Sequence, residues 1–107
     1  MQPTVVQVNF GTVQHSDALE QHIREKIASA MDRLLDRITR LEVHLHDDKH
    51  GGKDDHDLRA TVEARIAGRQ PLAVSAFGSE FYGVVNRAIS KAGRAVAHQL
   101  EKQDSKR

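Results

Sequence analysis

The chain contains no cysteine among its 107 residues. This absence excludes a disulfide scaffold, a thiolate zinc site and a cysteine nucleophile. No apolar run approaches the roughly 20 residues that a membrane span needs. The first ten residues, MQPTVVQVNF, have neither the basic region nor the apolar core of a secretion signal. We therefore expect a cytoplasmic protein with no membrane partner.

Several catalytic motifs are missing as well. The chain has no G-x-S-x-G, no phosphate-binding G-x-x-x-x-G-K-[ST] and no G-x-G-x-x-G after a strand. The seven histidines could supply a general base, but none is paired with a recognisable nucleophile. We therefore expect no enzyme activity, no cofactor and no small-molecule substrate.

The composition that remains is typical of one folded domain. Hydrophobic residues make up 38% and charged residues 29% of the chain, which is too apolar for a disordered protein. A chain of this length buries roughly two-thirds of its extended surface, enough for a single core. We expect one domain over residues 1–102 and a polar tail over 103–107.

The spacing of apolar residues predicts the secondary structure. Alternation in four segments predicts four strands, each with one apolar face: residues 5–10, 38–46, 58–66 and 72–76. Apolar steps of three and four predict two amphipathic helices. The first begins at an N-cap, Ser16, and continues for about five turns to near Arg37; the second begins at a cap, Ser79, and extends to Leu100.

This order of elements predicts an α+β fold of the type β-α-β-β-β-α. Two helices packed on one face of a four-stranded mixed sheet would bury every apolar face. We expect the first two strands to be parallel and joined by a right-handed crossover. The last three strands should be antiparallel.

Charge is unevenly distributed although the net charge is only +1. No acidic residue occurs from Phe81 to Leu100, whereas basic residues follow one another along the second helix at steps of four, three, four and four. These are Arg87, Lys91, Arg94, His98 and Lys102. The spacing puts them on one helical face, which either is an ordinary solvated surface or binds a phosphate backbone. Gly83 and Gly93 in the same helix indicate close packing on helix one or the sheet, or close approach of such a backbone.

A segment rich in histidine and aspartate spans residues 44–57, HLHDDKHGGKDDHD. Imidazole and carboxylate groups bind zinc or nickel, and His44 and His46 lie on one strand face. The pattern matches no known metal motif, so we expect no metal site and keep these two histidines as weak candidates. The alternative function is a protein-interaction or metal-responsive module that uses this loop.

Several strings resemble the ribosome hibernation promoting factors, the family that includes the ribosome-associated inhibitor, protein Y. SDALEQHIREKI at 16–27 is similar to the capped first helix, and LDRI at 35–38 to the helix-to-strand junction. The best match is LAVSAFGSEFYGVVNRAISKAGRAV at 72–96. The resemblance covers about residues 4–102.

The resemblance implies a fold akin to double-stranded-RNA-binding domains. It implies a bacterial, stress-response or stationary-phase protein that binds ribosomal RNA of the small subunit and blocks the mRNA and tRNA channel. It assigns RNA contacts to Lys91, Arg94 and Lys26, and His98 stands where members often have lysine, so its charge depends on protonation. To these our reading of the helix geometry adds Arg87, Arg33 and Arg37.

The chain also departs from the family pattern. Glu20 and Ser29 stand at positions of the first helix that are often basic, and the acidic loop at 47–57 is longer than the usual turn. The extra C-terminal domain of long members is missing, as is the acidic tail of the inhibitor type. We therefore expect a short form, and its effect on ribosome pairing and its oligomeric state stay open.

Overall fold

The computed structural model describes residues 4–48 and 57–104, with side chains through Lys102. Residues 49–56, which contain four of the nine histidine and aspartate residues of the predicted cluster, lie outside the described residues. The elements are β1 (Val5–Asn9), α1 (Asp17–Ala30), a short 3-10 helix (Leu35–Arg37), β2 (Ile38–Asp47), β3 (Leu58–Ile66), β4 (Leu72–Gly78) and α2 (Phe81–Asp104). The predicted order β-α-β-β-β-α is confirmed.

The described strands form one four-stranded sheet in the order β1-β2-β3-β4. β1 is parallel to β2, and the other two pairs are antiparallel, as the connections predicted. The register aligns one apolar row across all four strands, Val8, Val43, Val62 and Val74. Because side chains alternate along a strand, this row belongs to one face and the intervening polar residues belong to the other.

The apolar face forms the core together with the two helices. Val43 and Val62 in the sheet, Ile23 in α1 and Ile89 in α2 are fully buried in one cluster. We refer to the opposite, polar face of the sheet as the open face. Within the described residues, no helix has the length and apolar content needed to span a bilayer.

Helix α1 begins at the predicted cap but ends earlier than the sequence indicates. Ser16 Oγ accepts a hydrogen bond from the amide of Leu19 at 3.1 Å. The predicted end near Arg37 is wrong, because the helix stops at Ala30 and the carbonyl of Met31 then accepts from the amides at positions 34 and 35. Leu34 still fits the helical spacing of apolar residues, although it lies in the turn after the helix, because its half-buried side chain packs on the core.

The two helices contact each other closely at Gly93. A Cβ atom there would lie 3.4 Å from the carbonyl oxygen of Ala30 and 3.7 Å from Met31 Cγ. The two helices therefore pack closely at this position, as expected, and leave room for little more than a methyl group. At Gly83 the neighbours differ from the expected helix one or sheet, since a Cβ would meet Glu80 Oε1 at 2.8 Å and Arg87 Nη1 at 3.4 Å.

The cap of α2 is Glu80 rather than the predicted Ser79. The Glu80 carboxylate accepts from the amide of Gly83 at 2.6 Å, and its carbonyl accepts the first helical bond, from Val84. A carboxylate at this end also interacts favourably with the helix dipole. Sequence preference favoured serine because its short side chain is the commoner cap.

Candidate nucleic-acid interface

Two basic side chains of α2 reach the outer edge of β4. Strand β4 ends the sheet, so its outward carbonyls have no partner strand. Arg87 Nη2 donates to the carbonyl of Phe77 at 2.5 Å, and Lys91 Nζ donates to the carbonyl of Ser75 at 3.2 Å. The helix thus lies along the strand edge with its cations between the two elements.

The space between α2 and the edge of β4 is a groove of about 700 Å³, which we call the basic groove. Arg87, Lys91 and Arg94 contribute its positive charge. The remaining lining residues are small, polar or aromatic: Ser75, Ala76, Phe77, Asn86 and Ser90. Nothing in this lining carries a negative charge.

The three cations of the basic groove are exposed. Among the ion pairs of the described residues, none joins Arg87, Lys91 or Arg94 to a carboxylate. The carbonyls that accept from Arg87 and Lys91 are neutral, so these bonds do not offset either charge; the carboxylate nearby is Glu80, in the depression that adjoins Arg87. The positive field along this edge is therefore available to an anion.

The two remaining basic positions of α2 continue the row. His98 and Lys102 are exposed and follow Arg94 at one-turn intervals, so they lie on the same flank of the helix. They extend the row beyond the groove lining. Lys102 also takes part in an interaction within the protein.

Lys26 lies along the other flank of α2. It is one turn after His22, whose Nε2 is 2.7 Å from Asn86 Oδ1, and one turn before Ala30, which faces Gly93. Because these two contacts bracket it, the Lys26 backbone runs beside α2 on the side of Asn86, a lining residue of the basic groove. Its side chain is half-buried.

The structure does not bring Arg33 and Arg37 to the basic groove. Both are exposed, and they lie in the segment between α1 and β2. The Arg37 carbonyl accepts from the amide of Ala67, which follows β3 at the end of the sheet opposite Phe77. Their proposed contact with RNA would need a surface separate from the groove.

The sequence identified only the three cations of the groove lining, and it missed Phe77 in the lining and Gly78 beside it. Phe77 is 53% exposed, and Gly78 is buried against the guanidinium of Arg87 and the side chain of Val84. A signal for Phe77 was available, because it follows the strand alternation Leu72, Val74, Ala76 on the solvent side. No pattern in the sequence indicated that a long side chain from α2 lies on Gly78.

The weak metal candidates lie on the open face. His44 Nε2 is 3.0 Å from Glu42 Oε1 and 3.5 Å from Glu63 Oε2. The ligand atoms of these three residues lie within 4.8 Å of one another. His46 is two residues along β2, opposite Arg59, and outside this group. Hydrogen bonds from Arg40 and then His44 hold the pKa of the Glu42 carboxyl below its ordinary value.

The solved structures that are similar to this chain include two with identities of 14% and 20%. A ribosomal subunit interface protein from Coxiella burnetii has a TM-score of 0.76 and 14% identity, with 92% of this chain and 99% of that chain covered. The N-terminal domain of Thermus thermophilus Protein Y has a TM-score of 0.67 and 20% identity, over 87% and 94%. At these identities the likeness shows the fold alone. No curated protein sequence matches the chain significantly.

The family comparison covers nearly the whole chain. Residues 6–104 match the model described as Sigma 54 modulation protein / S30EA ribosomal protein. This description names a ribosome-associated group and not a class of enzymes. The chain therefore belongs to the S30AE family, in agreement with the hibernation-factor resemblance seen in its sequence.

Proposed function

We propose that this protein is a translation inhibitor that binds small-subunit ribosomal RNA through the basic groove. When the protein is bound there, it blocks the mRNA and tRNA channel of the ribosome in stressed or stationary-phase bacterial cells. Family membership supports association with the ribosome. The observation that carries the proposal is the row of Arg87, Lys91 and Arg94, exposed along one groove with no carboxylate partner in the described residues.

The mechanism needs binding alone. Each cation that approaches a phosphate releases a condensed counterion, and the gain in entropy favours the complex without any base being read. The bonds from Arg87 and Lys91 to carbonyls are exposed. In these bonds only the donor is charged, whereas in a bond to phosphate both partners are charged, so exchange of the carbonyl for a phosphate oxygen is favourable.

The outer positions would widen the contact. His98 and Lys102 extend the row along α2, and Lys26 adds a cation on the other flank. Arg33 and Arg37 would bind phosphates only where the RNA surface continues around the end of the sheet. The proposal puts the protein in the cytoplasm, where the ribosomes are.

The test is co-sedimentation of the wild-type protein with purified small ribosomal subunits over a range of salt concentrations. If about four phosphates are contacted, the slope of log affinity against log salt should be near −3. A plain RNA duplex serves as competitor. Failure to pellet with subunits at low salt, or equally tight binding to the duplex, would contradict the proposal.

A second candidate function is a metal-responsive module on the open face. The group of Glu42, His44 and Glu63 favours it, since a carboxylate–imidazole set of this kind binds zinc. Arg40 acts against it, because its ion pair with Glu42 occupies one ligand. Calorimetric titration with zinc decides the matter: stoichiometric binding that His44→Ala removes and His46→Ala keeps would support the module, and no binding would exclude it.

A further inference from the structure

We propose that Phe77 is a stacking platform for an unpaired RNA base at the rim of the basic groove. The inference rests on the proposed function and specifies the ligand further, as a strand with at least one base free to leave its stack. It would make the groove a site for single-stranded or looped RNA rather than for a regular duplex. Regular duplexes keep their bases inside the helix and offer none to an aromatic ring.

Phe77 lies where two depressions of the protein surface meet. It lines both the basic groove and an adjoining depression with Gly78, Ser79, Glu80 and Arg87. The register puts its side chain on the open face, at the outer edge of the sheet. Phe77 therefore borders the groove at the strand edge with its ring on the open face, so a base stacked on the ring would have its phosphate at the edge, beside the groove.

Two cations of the basic groove lie beside Phe77 at the edge of β4. Arg87 donates to the Phe77 carbonyl itself, and Lys91 donates to the carbonyl two residues earlier on the strand. The two cations are one helical turn apart, about 6 Å, so they follow the strand edge. Arg59, opposite Phe77 on β3, is already paired with Asp48 at 3.5 Å. The charge for the phosphates therefore comes from the groove side.

Phe77 differs from the other large apolar side chains that are exposed in the described residues. Tyr82 packs its ring edge-on against His22, with the centroids 4.9 Å apart. Val5 lies on β1, at the opposite edge of the sheet, and is 51% exposed. Within the described residues, Phe77 has no aromatic partner and is the exposed aromatic residue that borders Arg87, Lys91 and Arg94 in the basic groove. Aromatic side chains beside cationic grooves are the usual platforms for stacked bases.

The first experiment measures affinity for small ribosomal subunits. Phe77→Leu keeps an apolar side chain but loses the flat ring, and it should weaken binding by at least about fivefold, within the 5- to 150-fold range of one stacked base. Phe77→Trp should bind at least as tightly as the wild type. The slope against salt should be unchanged in both, because no phosphate contact is lost. Val5→Leu is the matched control at the other sheet edge and should have no effect.

The second experiment uses the absence of tryptophan from the chain. In Phe77→Trp the new indole is the only one, so its fluorescence reports directly on stacking. A short oligoadenylate should quench it, whereas a ribose-phosphate oligomer of the same length without bases should bind by charge and leave the emission unchanged. The indole of Val5→Trp should not respond to either oligomer.

The outcomes separate this inference from the function on which it rests. Wild-type binding with a steep salt dependence, together with an unchanged Phe77→Leu affinity, would overturn the stacking platform and leave the proposed function standing. A Phe77→Leu defect on subunits without quenching by oligoadenylate would assign the ring to a ribosomal protein and also overturn it. Failure of the wild type to bind subunits would overturn both.

Discussion

Lys91 Nζ donates a hydrogen bond to the carbonyl of Ser75 at 3.2 Å, so the middle of α2 is joined to the free edge of β4. Together with the bond from Arg87 to the Phe77 carbonyl, this contact covers outward carbonyls that could otherwise pair with a strand of another molecule. The same contact holds the ammonium group in a defined place without neutralising it. One contact thus protects a sheet edge and holds a cation where the proposed RNA would bind.

Gly78→Ala tests whether the strand positions Arg87. The new methyl group would collide with the Arg87 guanidinium and lie 2.8 Å from Val84 Cγ2. Overpacking at such a site costs about 1–3 kcal/mol, and the displaced Arg87 should weaken subunit binding as much as Arg87→Ala does. Thermal unfolding and co-sedimentation measure the two effects. Unchanged affinity in Gly78→Ala would show that the position of Arg87 does not matter for binding.

Gly93→Val tests the packing of the two helices. Because a Cβ there already meets the Ala30 carbonyl oxygen at 3.4 Å, a branched side chain must push α1 away. We expect a loss of about 1–3 kcal/mol in the free energy of unfolding, measured by denaturant titration. Arg94→Val, next in the helix and exposed, controls for the β-branched side chain and should cost less than 1 kcal/mol. Equal losses in the two variants would refute the packing argument.

Much of the fold could be predicted from local patterns. Alternation along β2 and β3 matches the observed buried faces because a sheet covered on one side imposes a period of two on its sequence. The end of α1 could not be predicted in this way. Leu34 keeps the helical spacing although the chain has already turned at Met31, and only the three-dimensional core shows that both pack on it.

The candidate site was predictable in part. The step pattern of Arg87, Lys91 and Arg94 identified one helical face, and the structure brings that face to a single groove. The role of the β4 edge was not predictable, because unpaired carbonyls depend on strand order and not on residue type. Arg33 and Arg37, chosen along an assumed longer helix, do not line the groove, because α1 ends at Ala30 and the chain turns before it reaches them.

The ion pairs of Glu42 predict a pH dependence of stability. Its pKa is lowered in the folded state, chiefly by Arg40 and then by His44, so the stabilisation is present above the ordinary value of 4.5 and is lost as the pH falls through the lowered pKa. Glu42→Gln should therefore be less stable than the wild type at pH 7. This difference should shrink in acid.

Denaturant titrations of both proteins at neutral and acidic pH measure the effect. Glu101→Gln, an exposed residue of α2, controls for the loss of one negative charge. A stability gap between wild type and Glu42→Gln that stays constant down to strongly acidic pH would contradict the proposed cause.

His98→Lys should strengthen binding, because it places a permanent charge one turn beyond Arg94. One added phosphate contact makes the slope of log affinity against log salt steeper by about 0.7–0.9. Filter binding or co-sedimentation at several salt concentrations measures it. Gln99→Lys, on the neighbouring position but half-buried off this flank, controls for charge alone. If both variants gained the same affinity, the added charge would act wherever it lies on the helix, and the position of the basic row would not matter for binding.

The central claim is tested most directly by reversing the charge of the groove. Lys91→Glu combined with Arg94→Glu should reduce affinity for small subunits at least tenfold and bring the salt slope from near −3 to about half that value, while circular dichroism shows an intact fold. Arg24→Glu with Arg65→Glu changes the net charge equally on other surfaces and should bind nearly as well as the wild type. If the groove variant still pelleted with ribosomes at the wild-type level, the basic groove would not be the RNA-binding site.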